Sequence, residues 1–152
     1  MKPIKIFSIL LMLCLGIATV ATAQPAAVKK AANTTFTLTT FDAKGSILST
    51  SNGVFVSNNG ICVSTWKPFV GAMKAEVTDN NGQKYSVETI LGANELYDVA
   101  KFKITAKTNA ALFAPSVVAN SAAWIVMPSQ AGTPIKANID KVEKFMTKYN
   151  YC

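Results

Sequence analysis

Histidine is absent from all 152 residues. That removes the one side chain whose unperturbed pKa makes it a neutral base near pH 7, and with it the commonest metal ligand. Arginine is absent too, so all fifteen basic residues are lysines. Arginine's planar fork is what grips phosphate and guanine in pairs of hydrogen bonds, and its absence excludes dedicated nucleic-acid recognition. The lysines are scattered rather than clustered, which marks a solvated surface. Cysteine is scarce, at three, and without histidine two or three distant thiols cannot assemble the usual zinc ligands. No metal or cofactor is expected.

One long apolar run is present. Residues 6–20 are almost wholly apolar, follow Lys2 and Lys5, and lead into Ala21-Thr22-Ala23. A basic region, an apolar stretch and a small-residue cleavage site predict an export signal over residues 1–23, with Gln24 as the new first residue and a periplasmic or secreted product. The run is shorter than the roughly 20 residues that span a bilayer, so stable membrane insertion is not expected. Without the signal 129 residues remain and the formal charge falls from +7 to +5. That length suits one ordinary domain or one large fragment of a two-lobed protein. Cys14 leaves with the signal, so Cys62 and Cys152 remain in a disulfide-permissive product. Between Ile61 and Val63, Cys62 reads as a buried, inert thiol, with a bridge to Cys152 as the alternative.

Residues 24–33 form an N-terminal arm rich in alanine and lysine, either one or two helical turns or extended. The texture then changes. Residues 34–41 are threonine- and phenylalanine-rich, as a half-buried strand requires. Asp42-Ala43-Lys44-Gly45 makes a turn, and residues 46–57 resume as strand, with Gly53 a bulge or a point of close approach. Asn58-Asn59-Gly60 and Asp79-Asn80-Asn81-Gly82 supply residues that accept the positive φ of tight hairpins, joining residues 54–56 to 61–63 and residues 74–78 to 83–91. Gly92-Ala93-Asn94 is expected to break the next strand before another at residues 99–104. Six short strands at this spacing predict an antiparallel barrel or sandwich. Residues 106–122 read as a connector carrying at most one short strand, and residues 123–127 as a strand stopped by Pro128. In the tail, Ile139, Val142, Phe145, Met146 and Tyr149 recur at helical spacing, whereas Ile135, Ala137 and Ile139 alternate as in a strand.

Four features follow one another between residues 53 and 104: the Gly53-Val54-Phe55-Val56 strand, the Asn-Gly hairpin, a Val63-Ser64-Thr65 segment leading through Trp66-Lys67-Pro68-Phe69 to Gly71-Ala72, and Asp98-Val99-Ala100 ending in Lys103-Ile104. In this order and spacing the succession resembles the first barrel of trypsin-like serine proteases, most closely the bacterial HtrA type, and covers about a third of the chain. The resemblance implies an all-β, chymotrypsin-like fold. Residues 34–105 would form a complete first antiparallel barrel, residues 106–122 a connector and residues 123–152 a partial second barrel, with the tail entering as strand.

The family works through histidine, aspartate and serine. Asp98 matches the aspartate, Lys67 stands where the histidine would be, and the nucleophile loop would fall beyond Cys152. A lysine serves as a base only where burial or neighbouring cations strip its proton, and an adjacent carboxylate does the reverse. Lys67 is therefore expected either to pair with Asp98 or to point into solvent. Trp66 and Phe69 either plug the vacated corner or present an aromatic patch to a peptide or protein partner. The resemblance thus implies an exported serine protease homologue without activity, a degenerate and shortened member of the family with a binding or scaffolding role. Its alternatives are the front portion of an active serine-type endopeptidase and a truncated fragment without function.

Overall fold

A computed structural model of the chain describes residues 26–128 and 133–142. The export signal, Cys152 and the tail from residue 143 lie outside the described residues. The arm is helical: α1 spans Ala26–Ala32, buries Val28 and carries Lys29 and Lys30 in its last turn, where cations complement the helix dipole. Thr34 and Thr35 then donate their hydroxyls to the carbonyls of Ala31 and Ala32, closing the helix end.

Six strands follow: β1 (Thr35–Phe41), β2 (Ile47–Phe55), β3 (Ile61–Ser64), β4 (Lys74–Asp79), β5 (Lys84–Asn94) and β6 (Val99–Ile104). They close into an antiparallel barrel in the order β1-β2-β3-β6-β5-β4. Closure follows from the period-two pattern. In β1 the alternation sends Phe36, Leu38 and Thr40 inward and leaves Thr35, Thr37 and Thr39 outside; in β6 it sends Ala100, Phe102 and Ile104 inward and Lys101 and Lys103 out. The apolar inward residues, with Phe55, Cys62, Ala75 and Val77, form one core. Phe36 sits at its centre, 4.8 Å from the Phe55 ring and 6.0 Å, edge-on, from Phe102. Each such ring contributes roughly 1.5–3 kcal/mol through burial. A closed barrel leaves no strand edge unpaired within it.

Gly53 marks a close approach and not a bulge. A Cβ there would lie 2.3 Å from the Phe36 ring and 2.7 Å from the Val63 carbonyl. The β1–β2 pairing slips further along, where Thr40 faces Ser49 and Phe41 faces Ile47, so that the extra residue is Leu48 on β2 itself.

The expected break at Gly92-Ala93-Asn94 does not occur. β5 runs through these residues to Asn94, pairing with β6 and absorbing its surplus in two irregularities, between Val87 and Thr89 and between Ile90 and Gly92. Bulges let a long strand bend around a barrel without ending. The strand expected at residues 123–127 is displaced two residues toward the N-terminus, as β7 (Ser121–Ile125), and no strand precedes it in the connector. β7 pairs with β8 (Ile135–Ile139) in a separate two-stranded sheet. The strand alternation of Ile135, Ala137 and Ile139 thus prevails over the helical spacing there. Among the described residues no helix is long and apolar enough to cross a membrane.

Candidate functional site

The chain leaves β3 at Ser64 and turns through Trp66 into a 3₁₀ turn, Lys67–Phe69, with Pro68 buried beneath it. Opposite, the turn before β6 ends at Asp98, whose φ of 51° lies in the left-handed region. Aspartate tolerates that conformation better than most residues. It aims the carboxylate back at the loop: Oδ1 accepts the backbone N–H of Trp66 at 3.0 Å and of Lys67 at 2.7 Å, and the Asp98 carbonyl accepts the Trp66 N–H at 3.3 Å. The sequence placed Lys67 and Asp98 side by side, and the structure brings them together through the backbone of Lys67 and not its side chain. The Lys67 ammonium is exposed and forms no ion pair with Asp98; the close lysine–carboxylate contact of the barrel is between Lys74 and Glu76, at 2.7 Å on β4. Of the two expected dispositions of Lys67, the solvent-facing one is found.

Trp66 and Phe69 are half-buried and packed against the core. Their rings are stacked, 6.0 Å apart at 19°, and Phe69 meets Phe102 edge-on at 5.2 Å. One line of rings therefore runs from the corner to the barrel centre. The same loop, and β2 opposite Gly71, also carry exposed apolar residues that the sequence did not single out. Val70 and Met73 are 58% and 75% exposed, Leu48 is 47% exposed, and Met73 is tied to β1 by its N–H to the Phe41 carbonyl. Leu48, on β2, lies 4.0 Å from where a Gly71 side chain would begin, a proximity that only the folded loop reveals.

Two candidate nucleophiles of β3 are committed elsewhere. The Ser64 hydroxyl, buried, donates to the Asn52 carbonyl at 2.8 Å and lies 3.2 Å from the Ser51 hydroxyl. Cys62 is a fully buried free thiol whose pKa is pushed up to about 12 by burial, which suppresses the reactive thiolate. Among the described residues no three histidine, cysteine, aspartate or glutamate side chains gather as metal ligands.

A second concavity, a cleft of about 270 Å³, opens at the barrel end between the β4–β5 turn and the segment after β6, lined by Asn33, Asp79, Asn81, Tyr85, Lys107 and Asn109 among others. Asp79 organises it. Its Oδ1 accepts the N–H groups of Asn81 and Gln83 at 2.8 and 2.9 Å, and the Tyr85 hydroxyl reaches its Oδ2 at 3.5 Å. Partial burial, and then the Asp79 charge, hold the Tyr85 phenol above its ordinary pKa.

No protein-family model and no curated protein matches the chain. Among solved structures, a serine endoprotease from Yersinia pestis is similar at a TM-score of 0.49 and 24% identity, over 55% of this chain and 31% of that one. At that identity and overlap the likeness extends to neither the chemistry nor the substrate of that enzyme. What the chain itself shows is a closed six-stranded antiparallel barrel in which the Trp66–Lys67 loop and the Asp98 turn are in contact.

Proposed function

We propose that the chain is an exported trypsin-like serine protease homologue that has lost peptidase activity and retains a binding or scaffolding role. One observation carries the reading: the position that would hold a proton-shuttling imidazole holds Lys67, exposed, while Asp98 spends its Oδ1 on the backbone of the loop. With no histidine in the sequence, no side chain can take a serine's proton near neutral pH without heavy tuning. The test is labelling with a fluorophosphonate probe, alongside hydrolysis of an unstructured protein substrate. No covalent adduct and no cleavage are expected, and a labelled serine would overturn the reading.

The binding role falls to Trp66 and Phe69, with Val70, Met73 and Leu48 beside them, and the class of partner they suit is an extended peptide or protein segment with apolar side chains. Trp66 emission in a Trp124→Phe background is expected to shift on titration with such peptides, and a flat response across a varied panel removes the patch from consideration. A second reading, the front portion of a serine-type endopeptidase, is favoured by the two-stranded β7–β8 sheet, which exposes Ile125 and Ile135 and is too small to be stable by itself. It predicts a serine beyond Cys152 in the coding sequence and a labelled product from the longer chain.

A further inference from the structure

Three asparagine–glycine pairs stand in the sequence, Asn52-Gly53, Asn59-Gly60 and Asn81-Gly82. This dipeptide is the one in which the following backbone nitrogen most readily reaches the side-chain carboxamide, because glycine has no side chain to shield it and rotates freely. The fold locks two of the three. Gly53 lies mid-strand, paired to both Phe36 and Ser64, with the Phe36 ring pressed against it. Gly60 is buried; its N–H donates to the Thr108 hydroxyl at 3.3 Å, its carbonyl accepts the Ile104 N–H at 2.9 Å, and the Asn59 carboxamide accepts the Ser57 hydroxyl. Each of these holds ties the pair to chain far away or fixes the carboxamide itself.

The third pair is different. Asn81 and Gly82 are both exposed, and among the described residues nothing beyond the turn's own neighbours comes within 4 Å of where a Gly82 side chain would begin. The hydrogen bonds that touch this pair stay inside the turn: Gly82 N–H to the Asp79 carbonyl at 3.0 Å, and Asn81 N–H to Asp79 Oδ1. The carboxamide of Asn81 has no hydrogen-bond partner among the described residues, so its Cγ is free to swing toward the Gly82 nitrogen.

We propose that Asn81 is a site of spontaneous, fold-selected modification, converting through a cyclic imide to aspartyl and isoaspartyl forms while the other two pairs persist. The Gly82 nitrogen gives its proton to solvent base and bonds to Cγ of Asn81, and the carboxamide nitrogen leaves as ammonia. Water then opens the ring at either carbonyl, giving aspartate or isoaspartate, with no oxidation or reduction at any step. The product puts a new carboxylate into the Asp79–Tyr85–Lys107 cleft, lowering its net charge by one. The isoaspartyl form also lengthens the backbone of the turn that sets the β4–β5 register. Conversion thereby changes which ligands that cleft can hold.

The experiment ages the folded full chain in mildly alkaline buffer, with a urea-unfolded sample in parallel, and digests both with trypsin. Cleavage after Lys74 and Lys84 releases residues 75–84, which carry Asn81. Cleavage after Lys44 and Lys74, with Lys67 protected by Pro68, releases residues 45–74, which carry both other pairs. In the folded sample the 75–84 peptide is expected to convert more than about tenfold faster than the 45–74 peptide, which corresponds to at least ~1.4 kcal/mol of local opening at the locked pairs. In urea the two should converge, and Asn81→Gln should abolish the change in residues 75–84. Equal rates in the folded chain, or a 75–84 peptide that stays intact when folded and converts when unfolded, would overturn the proposal.

Discussion

Asp98 is the residue on which the corner turns. Its carboxylate oxygen takes the N–H groups of Trp66 and Lys67; the Trp66 N–H also reaches the Asp98 carbonyl, whereas the Lys67 N–H has no other acceptor among the described residues. A charged acceptor of this kind contributes roughly 1.5–3 kcal/mol, so Asp98→Ala is expected to cost about 2 kcal/mol in urea unfolding. Asp98→Asn, which keeps an oxygen in place, should cost less than half of that, and equal losses would mean that charge, not the acceptor, holds the loop. Replacing Lys67 tests the opposite: its ammonium is exposed and has no partner among the described residues, so Lys67→Met should leave stability within about 0.5 kcal/mol, as at other exposed positions. The Cys62 thiol gives a pH dependence of definite sign. Its pKa is near 9 when unfolded and about 12 in the fold. The folded state therefore holds the proton more tightly, and the associated stability is whole below pH 9 and is lost as pH rises from about 9 to about 12. Alkylation of Cys62 by iodoacetamide should accordingly be negligible in the native protein and rapid in urea, and native labelling at neutral pH would show that the barrel opens locally.

At the scale of elements, β1, β4 and β6 were legible because each alternates cleanly between one buried face and one polar face. The two hairpins at residues 58–60 and 79–82 were legible because asparagine and glycine leave the chain little else to do. The contact between the Trp66–Lys67 loop and Asp98 was legible only as a resemblance, and the way it is made was not: nothing in a sequence distinguishes a carboxylate that binds a neighbour's side chain from one that binds its backbone. The end of β5 was misread for a related reason. Gly92 signals a break locally, but a strand hydrogen-bonded along β6 keeps its ladder by bulging rather than ending, and that gain exists only in the closed barrel. The approach of Leu48 to the Gly71 turn is made by a loop geometry that no period encodes. Gly53 shows the converse, a position read from sequence whose reason is visible only in packing. Gly53→Ala would force a methyl into the Phe36 ring and the Val63 carbonyl. The expected loss is about 1–3 kcal/mol by overpacking. A Phe36→Leu background, which withdraws the ring, should recover part of it in a double-mutant cycle, and strict additivity would place the clash elsewhere.

Considered whole, the molecule pairs a closed barrel with an open appendage. The barrel has no free edges, its core is contiguous, and the connector is laced to it by Thr108, which donates to the Ser57 carbonyl at 2.6 Å, and by the Ala111 N–H to the Phe55 carbonyl at 2.8 Å. Beyond that lacing, Leu112 and Phe113 are 92% and 79% exposed, and β7 and β8 each pair on one side only among the described residues, with Ile125 and Ile135 about half exposed. A two-stranded sheet is marginal in water, and an uncapped edge beside apolar side chains is a template for another chain. Stability and association should therefore separate. Ile135→Lys puts a charge on the β8 edge without touching the core; it is expected to reduce concentration-dependent light scattering while leaving the barrel's melting transition within about 0.5 kcal/mol of the parent. Were scattering unchanged while the transition moved, β8 would be contributing to the stability of the barrel and its edge would not be the surface through which copies meet.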